Sequence, residues 1–275
     1  MDYSQILSQQ FNIKEEYAKN IITLLDDGNT IPFIARYRKE MHGSMDDQLI
    51  REFAEKLEYL RGLDKRRDEI RSLIDAQEKL TDEINLALDK AATLSELEDI
   101  YRPYRPKRKT RASIAKEKGL EPLANDILKQ EKGFDPSKSA VDYIDEEKGV
   151  TSVEDAIQGA MDIIAELVSD NAEIRKRIRN LTNANGVLVS VATDEEKDSV
   201  YKNYYDYKEP VKKIAGHRVL AVNRGEKEGF LKVSVETDSE KPLNSIFRAM
   251  ITDKNQLCSD IIREACTDAY QRLIY

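Results

Sequence analysis

Apolar residues along this chain recur mostly at three- and four-residue steps, the spacing of one helical face. Residues 2–10 form a short helix by this pattern. A second follows in "NIKEEYAKNIITLLDDGNT", with Asn12 as N-cap, Tyr17, Ile21, Leu24 and Leu25 on one face, and Gly28 as the stop. "TIPFIARYRKE" places Pro32 in the first turn of a third. Helix, Gly-containing turn, helix is the outline of a helix-turn-helix, which any helical hairpin shares. From Asp46 to Gln77, Leu49, Phe53, Leu57, Leu60, Leu63, Ile70 and Ile74 keep one stripe. That is a helix of about 45 Å, with Gly62 as a possible kink. Arg61, Lys65, Arg66, Arg67 and Arg71 line it beside Asp64, Asp68 and Glu69, the pattern of a salt-bridged solvent face.

Thr81–Ala92 reads as a helix, and Ser95 with Glu98 as the capping box of another that ends at Pro103. Helical form resumes near Thr110. Short helices are expected from 111 to 118, from Pro122 to Gly133, and from a cap at Asp135–Pro136. Thr151 with Glu154 opens a long one striped by Val153, Ile157, Met161, Ile164 and Val168. In "NAEIRKRIRNLTNANG", Asn171 caps, Ile174, Ile178 and Leu181 face inward, and Arg175, Lys176, Arg177 and Arg179 face out. Beyond Gly186 the period shortens to two. "VLVSV" and "FLKVSVE" are strand candidates able to pair antiparallel. Tyr201, Tyr204, Tyr205 and Tyr207 between them suit a helix with a packed aromatic face, although aromatic rings also stack on bases. One amphipathic helix from Ser245 closes the chain. The fold class is mainly α: a multi-helical scaffold with a helix-turn-helix-like helical subdomain and a small β hairpin or sheet.

Charge alters this picture at one place. The chain has 275 residues and net charge −8, which argues against a protein that coats nucleic acid with its whole surface. From Tyr101 to Lys118, however, eight Lys/Arg stand against Glu117 alone, a local +7 that leaves −15 elsewhere. Arg102, Arg105, Lys107, Arg108, Lys109 and Arg111 form a proline-stiffened connector suited to phosphate contact. The alternatives are a solvated loop or a latch onto acids of the same chain. Arg175, Lys176 and Arg179 are the second set of candidate nucleic-acid-binding residues.

Other chemistry is sparse. No Gly-rich phosphate loop, G-x-S-x-G elbow or H-E-x-x-H helix occurs. Asp26–Asp27 and Asp46–Asp47 read as helix-end residues rather than metal ligands. Two isolated histidines argue against zinc. No catalytic residue, metal or cofactor is expected, and no small-molecule substrate. Cys258 and Cys266 lie eight residues apart on one helix, about 12 Å along its axis, too far for a disulfide. No run approaches the roughly 20 apolar residues of a membrane span, and no secretion signal is present. A cytoplasmic location without membrane contact is expected.

Three phrases carry a family resemblance: "IPFIARYRKEMHGSMDD" (31–47), "LEDIYRPYRPKRKTRASIAKEKGLEPLA" (97–124) and "YYDYKEP…HRVLAVNRGEKEGFLKV" (204–233). They resemble the bacterial Tex family of RNA-binding transcription accessory proteins. The resemblance implies a longer protein continuing into RNase H-like, helix-hairpin-helix and OB-fold domains. Nucleic acid, RNA or DNA, would bind mostly through those. It implies that this chain is an N-terminal region, in keeping with an end on "RLIY". The organisation it implies is a scaffold over 1–107, an inserted helical subdomain over 108–184, and a return to the scaffold over 185–275. It supplies no catalytic residue here. The expected function is a helical scaffold contributing to nucleic-acid binding in transcription. The alternative is a module docking on transcription or translation machinery without nucleic-acid contact of its own. A nuclease-like activity has no residue support.

Overall fold

The computed structural model describes residues 2–106, 109–252 and 254–274. The chain forms two compact units, 1–104 and 105–275, so the division falls inside the basic connector.

The first unit is all helical. α1 (Tyr3–Phe11) starts on Asp2, whose carboxylate accepts the Gln5 N–H, and stops at Asn12 in the left-handed region. Asn12 therefore ends α1 instead of capping α2 (Glu15–Asp26), whose N-cap position is Lys14. α3 (Ile31–Tyr37), with Pro32 in its first turn, and α4 (Lys39–His42) follow. α5 (Asp47–Asp75) begins where the Asp46 carboxylate accepts the Leu49 N–H at 2.8 Å. It runs unbroken through Gly62.

α6 (Asp82–Lys90) and α7 (Leu94–Tyr101) complete the unit. The cap of α7 is Thr93, not Ser95: its hydroxyl accepts the Glu96 N–H, while Glu96 Oε2 accepts the Ala92 N–H. Nor does Pro103 force Arg102 out of the helical region. Arg102 is right-handed helical and enters a 3-10 turn over Arg102–Tyr104.

The single stripe of α5 serves two cores. Ile50, Phe53, Leu57 and Leu60 pack with Leu7, Ile21 and Ile34. Leu63, Ile70 and Ile74 pack with Leu88, Leu97 and Tyr101. Its arginines are more than a solvent face. The i,i+3 pairs Arg66–Glu69 and Arg71–Asp68 are present. Yet Arg61 grips Asp26 of α2 with two bonds of 2.7 and 2.8 Å. Arg66 reaches Glu98 at 2.7 Å and Arg71 reaches Asp89 at 2.7 Å. Arg67 is only 5% exposed and works from inside.

The second unit centres on α11 (Val153–Asp170), capped by Ser152 rather than Thr151. α8 (Arg111–Glu117), α9 (Glu121–Lys129) and α10 (Pro136–Ala140) precede it, and α12 (Ala172–Asn185) follows. The buried face of α11 is Ala156, Ala160, Ile163, Ile164, Ala165 and Val168. Val153, Ile157 and Met161 sit half-buried beside it. The face is small because α8 and α9 come close: a Cβ on Gly159 would stand 2.3 Å from Leu120 Cδ1.

β1 (Val187–Ala192), β2 (Asp206–Pro210) and β3 (Leu231–Glu236) form an antiparallel sheet in the order β2-β1-β3. Ser190 faces both Tyr207 and Val233. Pairing of the first and last strands was legible; β2 takes the place of the expected tyrosine helix. A 3-10 turn over Lys202–Tyr204 hands directly to β2, and Ser190 Oγ donates to the Tyr204 carbonyl at 2.8 Å. The rings do pack: Tyr201 is buried and donates to Glu228, and Tyr204 meets Tyr207 edge-on.

α13 (Gly216–Lys227) links β2 to β3. The expected single final helix is two, α14 (Glu240–Met250) and α15 (Gln256–Asp268), followed by a π-turn over Ala269–Ile274. Asn255 makes the break by capping α15. One core joins α8–α12 to α14 and α15, through Leu120, Ile127, Ile164, Ile246, Ile262 and Cys266.

Cys258 and Cys266 are both free and fully buried in that core. Burial pushes both thiols up, Cys266 to about 12. Since the thiolate is the nucleophile, neither should react with iodoacetamide in the native chain near pH 8, and both should react in denaturant. Mass spectrometry after timed labelling checks this; rapid native alkylation of Cys266 would contradict the buried placement. Among the described residues, no helix is long and apolar enough to cross a membrane.

Candidate nucleic-acid interface

The connector leaves α7 at Tyr101, which is buried beneath the Arg66 guanidinium at 5.6 Å. The Tyr104 carbonyl accepts from Gln77 Nε2 at 2.9 Å, tying the 3-10 turn to the first unit. Arg102 is half-buried and Arg105 exposed. Lys107 and Arg108 lie outside the described residues. The far end is anchored by a reciprocal cap: Thr110 Oγ1 accepts the Ser113 N–H at 3.0 Å, and Ser113 Oγ accepts the Thr110 N–H at 2.8 Å. The Thr110 hydroxyl then donates to Glu166 of α11 at 3.1 Å.

Acids of the second unit meet the far end of the stretch. Lys109 pairs with Glu117 at 3.4 Å, both side chains well exposed. Arg111 is exposed at the mouth of a cavity of about 210 Å³ between α8 and α11, shared with Lys118, Asp155, Gln158 and Asp162. Burial raises the Asp162 carboxyl, with Arg111 and Arg272 pulling it the other way. Arg272 stands 3.8 Å from Asp162 and is bonded to Asp268 at 2.8 Å. Arg111 thus stands near acids of its own fold, Asp162 and Asp268.

The second candidate set is only partly outward. Arg175 and Arg179 are half-buried, and they line a groove of about 240 Å³ with Ile178, Thr182, Asn183 and Ile274. Arg175 Nη1 donates to the Ser169 carbonyl at 3.3 Å. Lys176 is exposed. Spacing on α12 puts 175 and 179 one turn apart on one face, so their pairing was legible; the groove was not, because its far wall comes from the final turn. That turn touches both sets: Arg272 stands at Asp162 near Arg111, and Ile274 borders Arg175 and Arg179. Arg102, Arg105, Arg175, Lys176 and Arg179 all take part in interactions within the structure.

The paired aspartates serve helix ends, as their positions predict. Asp46 caps α5, and Asp26 is held low by its bonds to Arg61. Among the described residues no group of three or more His, Cys, Asp or Glu stands close enough to hold a metal.

Comparison with known proteins locates this arrangement. The chain matches the model of the Tex-like protein N-terminal domain over residues 1–75 and that of the Tex central region over 131–272. It is 43% identical to the uncharacterized protein YdcI of Bacillus subtilis, over all of this chain and 39% of that protein. It is 39% identical to the transcriptional accessory protein Tex of Neisseria gonorrhoeae, over 86% of this chain and 31% of that protein. It is 30% identical to the human S1 RNA-binding domain-containing protein 1, over all of this chain and 29% of that protein. The chain thus spans less than two-fifths of each of these relatives. The central-region match alone covers more than half of the chain, and the connector phrase lies between the two matches, in sequence shared with the Bacillus protein. The chain belongs to the Tex family.

Proposed function

We propose that this chain is the helical scaffold of a transcription accessory protein, and that it adds weak, sequence-independent contact to nucleic acid. The observation that carries the reading is that both Tex models fall on this one chain, with the +7 connector between them. Nearly end-to-end likeness to a protein named for transcription and to one named for RNA binding supports it. In this reading Arg102, Arg105, Lys107, Arg108, Lys109 and Arg111 supply phosphate contacts, and Arg175, Lys176 and Arg179 a second approach. The scaffold itself carries out no reaction. RNA or DNA would be held mainly by parts of the longer protein.

Such contact obeys counterion release. The log–log slope of affinity against salt is about −0.9 per duplex phosphate neutralised and about −0.7 for a single strand. Fluorescence anisotropy of the chain with duplex DNA and with single-stranded RNA, between about 50 and 200 mM salt, should show steep weakening. An Arg105→Gln/Lys109→Gln variant should lower the slope by about 1.4 on a single strand. An unchanged slope removes the connector from the interface.

A second reading, a protein-docking module without nucleic-acid contact, is favoured by the acids around Lys109 and Arg111. It predicts no binding to either nucleic acid at low salt and reproducible capture of transcription or translation components by the same chain.

A further inference from the structure

The phrase "IPFIARYRKEMH" lies away from the connector in sequence, and the scaffold reading gives it no task. α3 turns one face down: Ile34 is fully buried in the first core, with Ile31 and Ala35 packed beside it. The positions left on the other side are Phe33, Arg36 and Tyr37, spaced i, i+3, i+4 and so stacked on one outward stripe. Tyr37 is 65% exposed, a high value for a large ring. Phe33 packs against it with centroids 5.3 Å apart, and the Arg38 guanidinium stands 5.6 Å from the Phe33 centroid. Arg36, Arg38 and Lys39 are all exposed. None of the three forms an ion pair among the described residues. This sets them apart from the five α5 arginines of the same unit, all of which pair with acids. Glu40 is the one acid between Pro32 and His42.

The corner beneath this stripe is firmly built. Arg38 breaks the helix between α3 and α4, and its N–H still reaches the Ile34 carbonyl at 3.1 Å. His42 is fully buried, and its Nε2 donates to that same carbonyl at 3.1 Å. Asn20 of α2 donates to the Met41 carbonyl at 3.0 Å. Gly43, at φ +65°, lets the Tyr17 ring come so close that a Cβ would stand 2.6 Å from it. The ring and the cations are thus presented on a braced corner.

We propose that the outward face of α3 and α4 is a contact site for single-stranded nucleic acid. Tyr37, backed by Phe33, offers a ring for a base to stack on, and Arg36, Arg38 and Lys39 meet the flanking phosphates. An exposed aromatic ring beside unpaired cations is the combination that single strands use without sequence preference. A duplex hides its base faces, and an acidic peptide would engage the cations while leaving Tyr37 without a stacking partner. The site is independent of the connector and stands or falls apart from it.

The test is anisotropy of the 275-residue chain with a labelled short oligouridine, a matched duplex, and polyglutamate as competitor. Oligouridine should bind in preference to duplex. Tyr37→Ala should weaken it about tenfold and Tyr37→Phe less than about twofold. Arg36→Gln/Lys39→Gln should lower the salt slope by about 1.4. Tyr37 is exposed, so these variants should unfold at the parental temperature. If Tyr37→Ala binds as the parent does, the proposal is overturned, whatever the connector variants do. It is overturned too if polyglutamate displaces the oligouridine at equal charge concentration, which would make the partner an acidic protein, or if the parent binds no single strand at low salt.

Discussion

Arg67→Ala should cost about 3–5 kcal/mol of the stability of the first unit, the range for removing one partner of a buried ion pair. Arg67 is 5% exposed on the inner stripe of α5. Its Nε donates to the Leu88 carbonyl at 2.9 Å, its Nη2 to the Ala91 carbonyl at 3.0 Å, and its Nη1 to Asp64. One guanidinium thus satisfies the C-terminal carbonyls of α6 and neutralises a carboxylate. That carboxylate also accepts the Tyr3 hydroxyl at 2.7 Å, so the network runs from α1 through α5 to α6. Deletion would take one bond from each of two carbonyls and the arginine's charge from a partly buried carboxylate. Arg67→Lys should recover little, because an ammonium cannot fork to three acceptors in fixed directions. Urea unfolding at neutral pH measures the loss; one below about 1 kcal/mol would show that the network does not hold the unit together.

A pH dependence follows from the same site. Burial alone would raise the Asp64 carboxyl. The Tyr3 hydroxyl and nearby positive charge, Arg67 included, together outweigh it and hold the group below its ordinary value. A carboxyl depressed in the folded state adds stability above its unfolded pKa, which is lost as pH falls through the folded one. The parent should therefore weaken in acid more steeply than Asp64→Asn does.

Arg67 also marks where the sequence stops being legible. The stripe Leu49–Ile74 predicted α5, because period alone determines which side of a long helix is buried. The period does put 67 on that stripe, between Leu63 and Ile70, but it says nothing of what would satisfy an arginine there. Asp64 stands three residues away, as for any surface pair, and the carbonyls to which Arg67 donates belong to the end of a helix whose position only packing decides. The caps tell a similar story. Asp135 was legible because Pro136 directly after it marks the first turn of α10. Thr93 and Ser152 were displaced by neighbours, Ser95 and Thr151, offering the same chemistry nearby.

The tyrosines misled because their spacing fits a helical face, whereas β1 had an unpaired edge that an extended "DYKEP" satisfies. In the candidate interface, the isolated charge of 102–111 was visible in sequence. The acids that surround Arg111 were not, since Asp162 and Asp268 come from two later helices. The α3 stripe was readable in principle: positions 33, 36 and 37 alternate aromatic and basic at helical spacing. Its cations are distinguished from those of α5 only by what fails to pair with them.

Asn255 provides the second large effect. Its Oδ1 accepts the Cys258 N–H and starts α15. Its Nδ2 donates to the Glu131 and Phe134 carbonyls at 2.8 and 2.7 Å, more than a hundred residues away in sequence. Beside it Gln130, 1% exposed, donates to the Met250 carbonyl and accepts the Thr252 N–H, both at 2.9 Å. Two amide side chains thus fasten the turn after α9 to the turn between α14 and α15. Asn255→Ala removes a cap worth about 1 kcal/mol and two bonds worth about 1 kcal/mol each, so a loss of about 2–3 kcal/mol is expected. Asn255→Asp separates these roles. Aspartate caps a helix as well as asparagine does, so if capping were the whole function this variant would behave as the parent. It would instead set a carboxylate against two carbonyl oxygens with no hydrogen to offer them, and it should be less stable than Asn255→Ala at neutral pH. Acid should narrow the gap, because a protonated carboxyl regains one donor. Thermal unfolding of the three chains across pH decides it: Asn255→Asp matching the parent at neutral pH would reduce Asn255 to a cap and leave the two turns joined by apolar packing and Gln130.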